Sequence, residues 1–280
     1  MRKEVVHIKY QGMTLVELLI SLLLSAMISS MMFNAFFFIK KCVLTQQALI
    51  RVQVNARSID YLLGKALRNS GALGCQRLHQ NLIISADQGV TLMDYGLTHT
   101  QGIKGVLPTD LPKALGASKR ILQRAVVQSD MLWLQTGAPF LQGTRVIKQG
   151  TLLVDGDCQR VTFYHWQEQG TYKPSATVKR VASTVYYVGK TKRNNEMGNP
   201  IYALYSTDVN GRTLELVEGV EKLVFTYGIL KDGSIIYQSL QDVEDWYDVV
   251  SVRLNALLNS VEESDPILQK WWNFEWHLSK

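Results

Sequence analysis

One apolar run near the N-terminus constrains this chain more than anything else in it. From Met13 to Ile39 the sequence holds a single charged residue, Glu17, and no proline. As a helix, at ~1.5 Å per residue, the run reaches roughly 40 Å. That exceeds the ~30 Å hydrocarbon core of a bilayer. A lone carboxylate inside such a helix costs about 2.5–3.5 kcal/mol on insertion scales, so its presence needs an offsetting interaction. A secretory signal peptide would have an apolar core of about 7–15 residues and a small-residue cleavage site. This run is much longer, and no Ala-x-Ala pattern follows it. An ordinary signal anchor fits the length but leaves Glu17 without a purpose. Arg2, Lys3 and Lys9 precede the run and Lys40 and Lys41 follow it, so flanking charge does not orient it.

The helical signal continues past Ile39. Ile59, Leu62, Leu63, Ala66 and Leu67 recur at i, i+3, i+4, i+7 and i+8, the spacing of an amphipathic helix. Arg51, Gln53, Asn55, Arg57, Asp60 and Lys65 supply most of its polar face. Asn69 to Gly71 predicts the C-terminal cap. One helix from Met13 to Ser70 would be roughly 87 Å long. Residues 72–128 carry recurrent Gly with Pro108 and Pro112, and read as loops and short irregular strands. From Ser129 onward β-branched and aromatic runs alternate with turn formers. Strands are predicted at Met131–Leu134, Leu152–Val154, Arg160–Trp166, Val185–Val188, Ile201–Tyr205, Leu223–Leu230, Ser234–Leu240 and Tyr247–Leu258. Asn210-Gly211 and Asp232-Gly233 mark tight turns. At the C-terminus Trp272, Phe274, Trp276 and Leu278 alternate with polar residues, a period-two strand with one apolar face. Lys190–Asn199 reads as an exposed loop. The fold class that follows is α+β: a long N-terminal helix packed into a β-rich C-terminal head.

The N-terminal segment Gly12-Met13-Thr14-Leu15-Val16-Glu17-Leu18-Leu19-Ile20 resembles the signal of type IV pilins and pseudopilins. The resemblance implies a prepilin peptidase that cuts between Gly12 and Met13 and methylates the new N-terminus at Met13. It also implies that Glu17 pairs with the N-terminal amine of a neighbouring subunit in the filament core. Members usually begin the mature chain with phenylalanine; here Met13 stands in that place. The resemblance widens through Arg51-Val-Gln-Val-Asn55-Ala-Arg57, Leu67-Arg68-Asn-Ser-Gly71, Leu153-Val-Asp-Gly-Asp157-Cys158, Leu216-Val-Glu218-Gly219-Val220-Glu221 and Asp245-Trp246. Together these look like PilW-type minor pilins, weakest over residues 76–128 and the last twenty. The implied fold is type IV pilin-like. The implied organisation is a leader over 1–12, a membrane or filament-core helix over 13–39, its amphipathic continuation over 40–70 and a periplasmic head over 71–280. The implied partners are other minor pilins, the major pilin, the prepilin peptidase, the inner membrane and, at the pilus tip, an adhesin. A type II secretion pseudopilin shares the helix signal and is the alternative, followed by a signal-anchored periplasmic binding module.

Three cysteines remain: Cys42, Cys75 and Cys158. In an oxidising compartment Cys75 and Cys158 would pair, closing a loop that contributes roughly 4–5 kcal/mol in the chain-entropy treatment. The alternative is that both are reduced and buried as small apolar side chains. The resemblance favours the disulfide and leaves Cys42 unpaired on a helix face.

Nothing in the sequence requires an enzyme. Gly189-Lys190-Thr191 ends like a phosphate-binding loop, but the glycine required five positions earlier is Thr184. Asp155-Gly156-Asp157 and Asp208-Val209-Asn210-Gly211 lack the distal glutamate of a calcium loop and read as turns. The five histidines are far apart and form no HExxH pair, so no metal or cofactor is expected. The formal charge of +6 is spread along the chain without a dense Lys/Arg cluster. That gives nucleic acid only a weak claim as a partner.

Overall fold

The computed structural model describes residues 14–72, 83–86, 102–107, 121, 123–126, 128–139, 152–156, 160–165, 178–195, 197–208, 211–261 and 269–278. The chain divides into two compact units, Met1–Gln47 and Ala48–Lys280. Helix α1 (Leu15–Asn69) contributes its first part to one and its second part to the other.

In the second unit α1 buries Ala48, Val52, Ala56, Ile59, Leu63 and Leu67, a stripe at three- and four-residue spacing. Leu62 and Ala66 pack at its margin. The stripe starts earlier than the sequence spacing indicated, because Ala48 and Ala56 are small and do not mark an apolar face by themselves. The helix stops where its sequence predicts. Gly71 takes a φ of +73°, and its N–H donates to the Gln135 carbonyl at 2.8 Å. The Gln135 N–H in turn donates to the Gly102 carbonyl at 2.8 Å. Gly102 has a φ of +81°, and a Cβ there would stand 2.4 Å from the Gly71 nitrogen, so only glycine fits this junction.

Among the described residues the strands form two sheets. The larger holds β1 (Ile83–Ala86), β2 (Ile103–Val106), β3 (Met131–Pro139), β4 (Leu152–Gly156), β5 (Arg160–His165), β6 (Lys179–Asn194), β7 (Pro200–Asp208) and β8 (Thr213–Glu218). Its order is β1-β5-β4-β6-β3-β2, with β7 against β6 and β8 against β7. The long β6 changes neighbours along its length. It meets β4 at Lys179 and Arg180, then β7 from Thr184 onward. The smaller sheet runs β10-β9-β11-β12, all antiparallel, from β9 (Val220–Lys231), β10 (Ser234–Ser239), β11 (Val249–Asn259) and β12 (Gln269–His277). Asp232 and Gly233 both take positive φ in the β9–β10 hairpin, as the Asp-Gly pair predicts.

The main core lies between the α1 stripe and both sheets: Leu132, Leu134, Val188 and Leu204 from the larger, Phe225, Tyr227, Leu254 and Trp276 from the smaller. A second core covers the other face of the larger sheet with Val106, Ile121, Met131, Trp133, Val185 and Tyr187. β6 is therefore buried on both faces around Val185–Val188. The sheets are joined at the start of β3. There the Asp130 N–H donates to the Leu223 carbonyl, and the Asp130 carboxylate accepts from the Phe225 N–H at 2.8 Å. Burial raises the Asp130 pKa, against the pull of the Phe225 N–H and Lys222.

Two expectations are corrected. Lys190–Asn194 is not loop but the end of β6, and the turn to β7 is confined to Asn195–Asn199. Its charged side chains point to solvent on a strand whose Thr191 is still buried. β8, which no strand prediction covered, supplies the outer neighbour of β7.

Candidate functional site

The first unit presents its apolar surface outward. From Leu15 to Ile39 every large apolar side chain is exposed, between 49% at Leu18 and 76% at Leu15. Water disfavours such a surface by about 25 cal/mol per Å² of apolar area, so this segment calls for lipid or other helices around it. α1 is the one helix, among the described residues, long and apolar enough to cross a membrane.

Thr14 caps that helix. Its hydroxyl accepts from the Glu17 N–H at 3.4 Å, and its carbonyl accepts from the Leu18 N–H at 3.2 Å. Glu17 thus sits in the first turn, where exposed N–H groups favour a carboxylate. Ser21 and Ser25 satisfy their hydroxyls on the carbonyls of Leu18 (2.9 Å) and Ser21 (2.7 Å). Glu17 has no such internal outlet and pairs with no cation among the described residues. The helix therefore offers one fixed, exposed negative charge near its start, set in an apolar surface.

In the second unit, polar ties fix the helix to the sheets. The Asn55 side chain donates to the Glu218 carbonyl at 2.8 Å. Glu218 pairs with Arg51 at 3.6 Å and with Arg193 at 3.1 Å, and Arg193 also holds Glu215. Glu215 accepts from the Tyr205 hydroxyl at 3.2 Å. Burial and the adjacent Glu215 push the Tyr205 pKa up to about 12. The Trp276 indole N–H donates to Asp60 at 2.8 Å. Asn55 and Asp60, which the sequence places on the polar face of α1, are thus attachment points. Nothing in their local spacing signals this, because their partners lie about 160 and 216 residues away.

The outer face of the smaller sheet carries a second polar group. Tyr237 on β10 donates to Glu275 on β12 at 2.5 Å and accepts from Ser251 at 2.9 Å. Arg253 donates to Glu275 at 2.9 Å and lies 3.5 Å over the Tyr237 ring. The Tyr237 and Arg253 hydrogen bonds hold the Glu275 pKa below its usual range. These groups satisfy one another and tie β10, β11 and β12 together across the face of the sheet.

Of the residues singled out from sequence, Gly12, Met13, Cys75 and Cys158 lie outside the described residues. Cys42 is a free thiol, half-buried on α1. Gly189, Lys190 and Thr191 lie within β6 and form no phosphate loop. Asp208 closes a turn, its carboxylate accepting from the Arg212 N–H at 2.8 Å. Among the described residues no group of three or more His, Cys, Asp or Glu side chains is placed to hold a metal.

Comparison with known families bears on both ends of the chain. Residues 8–33 match the prokaryotic N-terminal methylation motif, a stretch that contains Gly12, Met13 and Glu17. Residues 185–271 match the family described as Type IV Pilus-assembly protein W, a stretch running from β6 into β12. No curated protein and no solved structure matches the chain. With an exposed apolar helix ahead of a β-rich unit, the chain is similar at one end to proteins with a prepilin-type N-terminal signal and at the other to PilW-type, type IV pilus-related pilins.

Proposed function

We propose that this chain is a minor pilin that takes part in type IV pilus assembly, in an inner-membrane priming complex that ends at the pilus tip. The observation that carries the reading is the segment Leu15–Ile39: apolar, exposed throughout, and bearing one carboxylate that pairs with no cation among the described residues. In this account the leader over residues 1–12 is cut between Gly12 and Met13 by a prepilin peptidase, and Met13 is N-methylated. Residues 13–39 wait in the inner membrane, residues 40–70 continue the helix, and the periplasmic head covers 71–280. The Met13 amine of one subunit then meets the Glu17 carboxylate of a neighbour. Other minor pilins assemble around the same contact, and the major pilin is added to the complex.

The role is structural rather than catalytic. A Cys75–Cys158 disulfide in the oxidising periplasm belongs to the same proposal. Intact-mass analysis of the chain from its native membrane tests the processing. The expected product lacks residues 1–12 and carries one added methyl group. An unprocessed chain would instead leave a signal-anchored periplasmic module.

A further inference from the structure

A cleft of about 300 Å³ opens where the chain passes from the larger sheet to the smaller. Its size is at the lower end of the ~300–1,000 Å³ typical of ligand pockets. Asn195 and Asn199 reach it from the β6–β7 turn, Tyr202 from β7, Glu221 from β9, Asn259 from the end of β11, and Val261 just beyond. Its floor is rigid. The Gly219 N–H donates to the Tyr202 carbonyl and the Asn259 N–H to the Gly219 carbonyl, each at 2.8 Å. The Glu221 carboxylate accepts from the Asn259 amide at 2.5 Å and from the Gln269 amide at 2.9 Å. Val261 holds a φ of +61°, a costly conformation for a β-branched residue. Backbone strain of this kind clusters at ligand-binding positions.

The unused hydrogen-bonding capacity identifies the ligand chemistry. The Asn195 side-chain oxygen Oδ1 accepts from the Asn199 N–H at 2.8 Å, and the Asn259 Oδ1 from the Val261 N–H at 3.2 Å. Among the described residues the Asn195 amide nitrogen, both ends of the Asn199 amide and the Tyr202 hydroxyl have no hydrogen-bond partner, and Glu221 faces no cation. The walls thus present free donors and free acceptors side by side. An ammonium or guanidinium group would satisfy the acceptors and leave the amide donors unpaired. Adjacent hydroxyls satisfy both, since each donates and accepts. Pro200, Ile201 and Val261 give the cleft an apolar wall for the C–H face of a ring.

We infer that this cleft binds a sugar ring, with Asn195, Asn199 and Glu221 on vicinal hydroxyls. The site is independent of the N-terminal helix, so it stands or falls separately from the pilin role.

The test uses the full chain in a zwitterionic detergent that contains no sugar, with saturation-transfer NMR as the readout. The probes are glucose, galactose, mannose and N-acetylglucosamine, each as free sugar and as methyl glycoside, with lysine methyl ester as the cationic competitor. At least one sugar should show transfer, and Asn199→Ala should weaken it roughly tenfold, as expected when hydrogen bonds to a held ligand are lost. Glu221→Gln, which keeps the shape of the side chain, provides the second variant, with a smaller loss. Signal from methyl glycosides assigns the terminal residue of a glycan, and signal from free sugars alone assigns a soluble sugar; either supports the inference. Transfer to lysine methyl ester without any sugar overturns it. So does the absence of transfer from every sugar, or sugar binding unchanged in both variants.

Discussion

Glu17→Ala is expected to abolish pilus assembly while leaving cleavage of the leader intact. The carboxylate stands in the first turn of an exposed apolar helix, held there by the Thr14 cap. Surrounded by lipid or by other helices, it has no water to solvate it and, among the described residues, no cation of its own chain to pair with. A neighbouring amine would neutralise it at one register only, because shifting the helix by a turn moves the charges about 5.4 Å apart. Removing one partner of a buried ion pair costs about 3–5 kcal/mol, since the other charge is left uncompensated. That corresponds to a loss of roughly a hundredfold or more in docking. Leu19→Ala, on the same helix, removes apolar area only and should leave pili close to normal. Surface pili are counted by electron microscopy, and intact mass establishes that Glu17→Ala is still processed. Normal piliation by a processed Glu17→Ala chain would remove Glu17 from the assembly contact.

The second large effect is on stability. Trp276→Ala should destabilise the β-rich unit by about 3–5 kcal/mol, the usual cost of truncating a buried tryptophan. Trp276 is 6% exposed and belongs to the main core. Its ring stacks on Phe274 at a centroid distance of 5.7 Å, and its N–H reaches Asp60 on α1. It also lies against Gly64, where a Cβ would stand 2.8 Å from the indole nitrogen. The absence of a side chain at Gly64 is what lets the edge strand β12 pack onto the helix. Trp276→Phe retains most of the buried area and loses the hydrogen bond, so it should cost clearly less, by about 1 kcal/mol for that bond. Urea unfolding followed by tryptophan fluorescence measures both. A loss below about 1 kcal/mol for Trp276→Ala would show that β12 contributes little to holding the helix.

Much of this was legible in the sequence, for reasons that are local. The apolar run from Met13, the cap at Gly71 and the alternation of Trp272, Phe274 and Trp276 each follow from the spacing of a few adjacent residues. The Asp232-Gly233 hairpin is legible for the same reason. What stayed hidden depends on partners distant in sequence. β6 continues through Lys190–Asn194 because β7 pairs with it at Lys190 and again at Asn194 across a register shift, although the segment's charges suggest a loop. The division into two sheets depends on Gly219, where the chain leaves β8 for β9, and one glycine among twenty does not announce a sheet boundary. The sugar cleft is assembled from Asn195, Tyr202, Glu221 and Asn259, spread over four strands or turns, and no short motif could have gathered them. Glu17 stands out in the sequence because a charge inside an apolar run is a local anomaly, and its pairing is the part that assembly must test.

The role in pilus assembly is tested most directly by counting surface pili in a clean deletion, with the secreted-protein profile recorded alongside and the intact chain restored in trans. Loss of pili with secretion unchanged, reversed on restoration, is the predicted result. Pili that persist while a set of secreted proteins is lost would contradict it and place the chain among the pseudopilins of type II secretion.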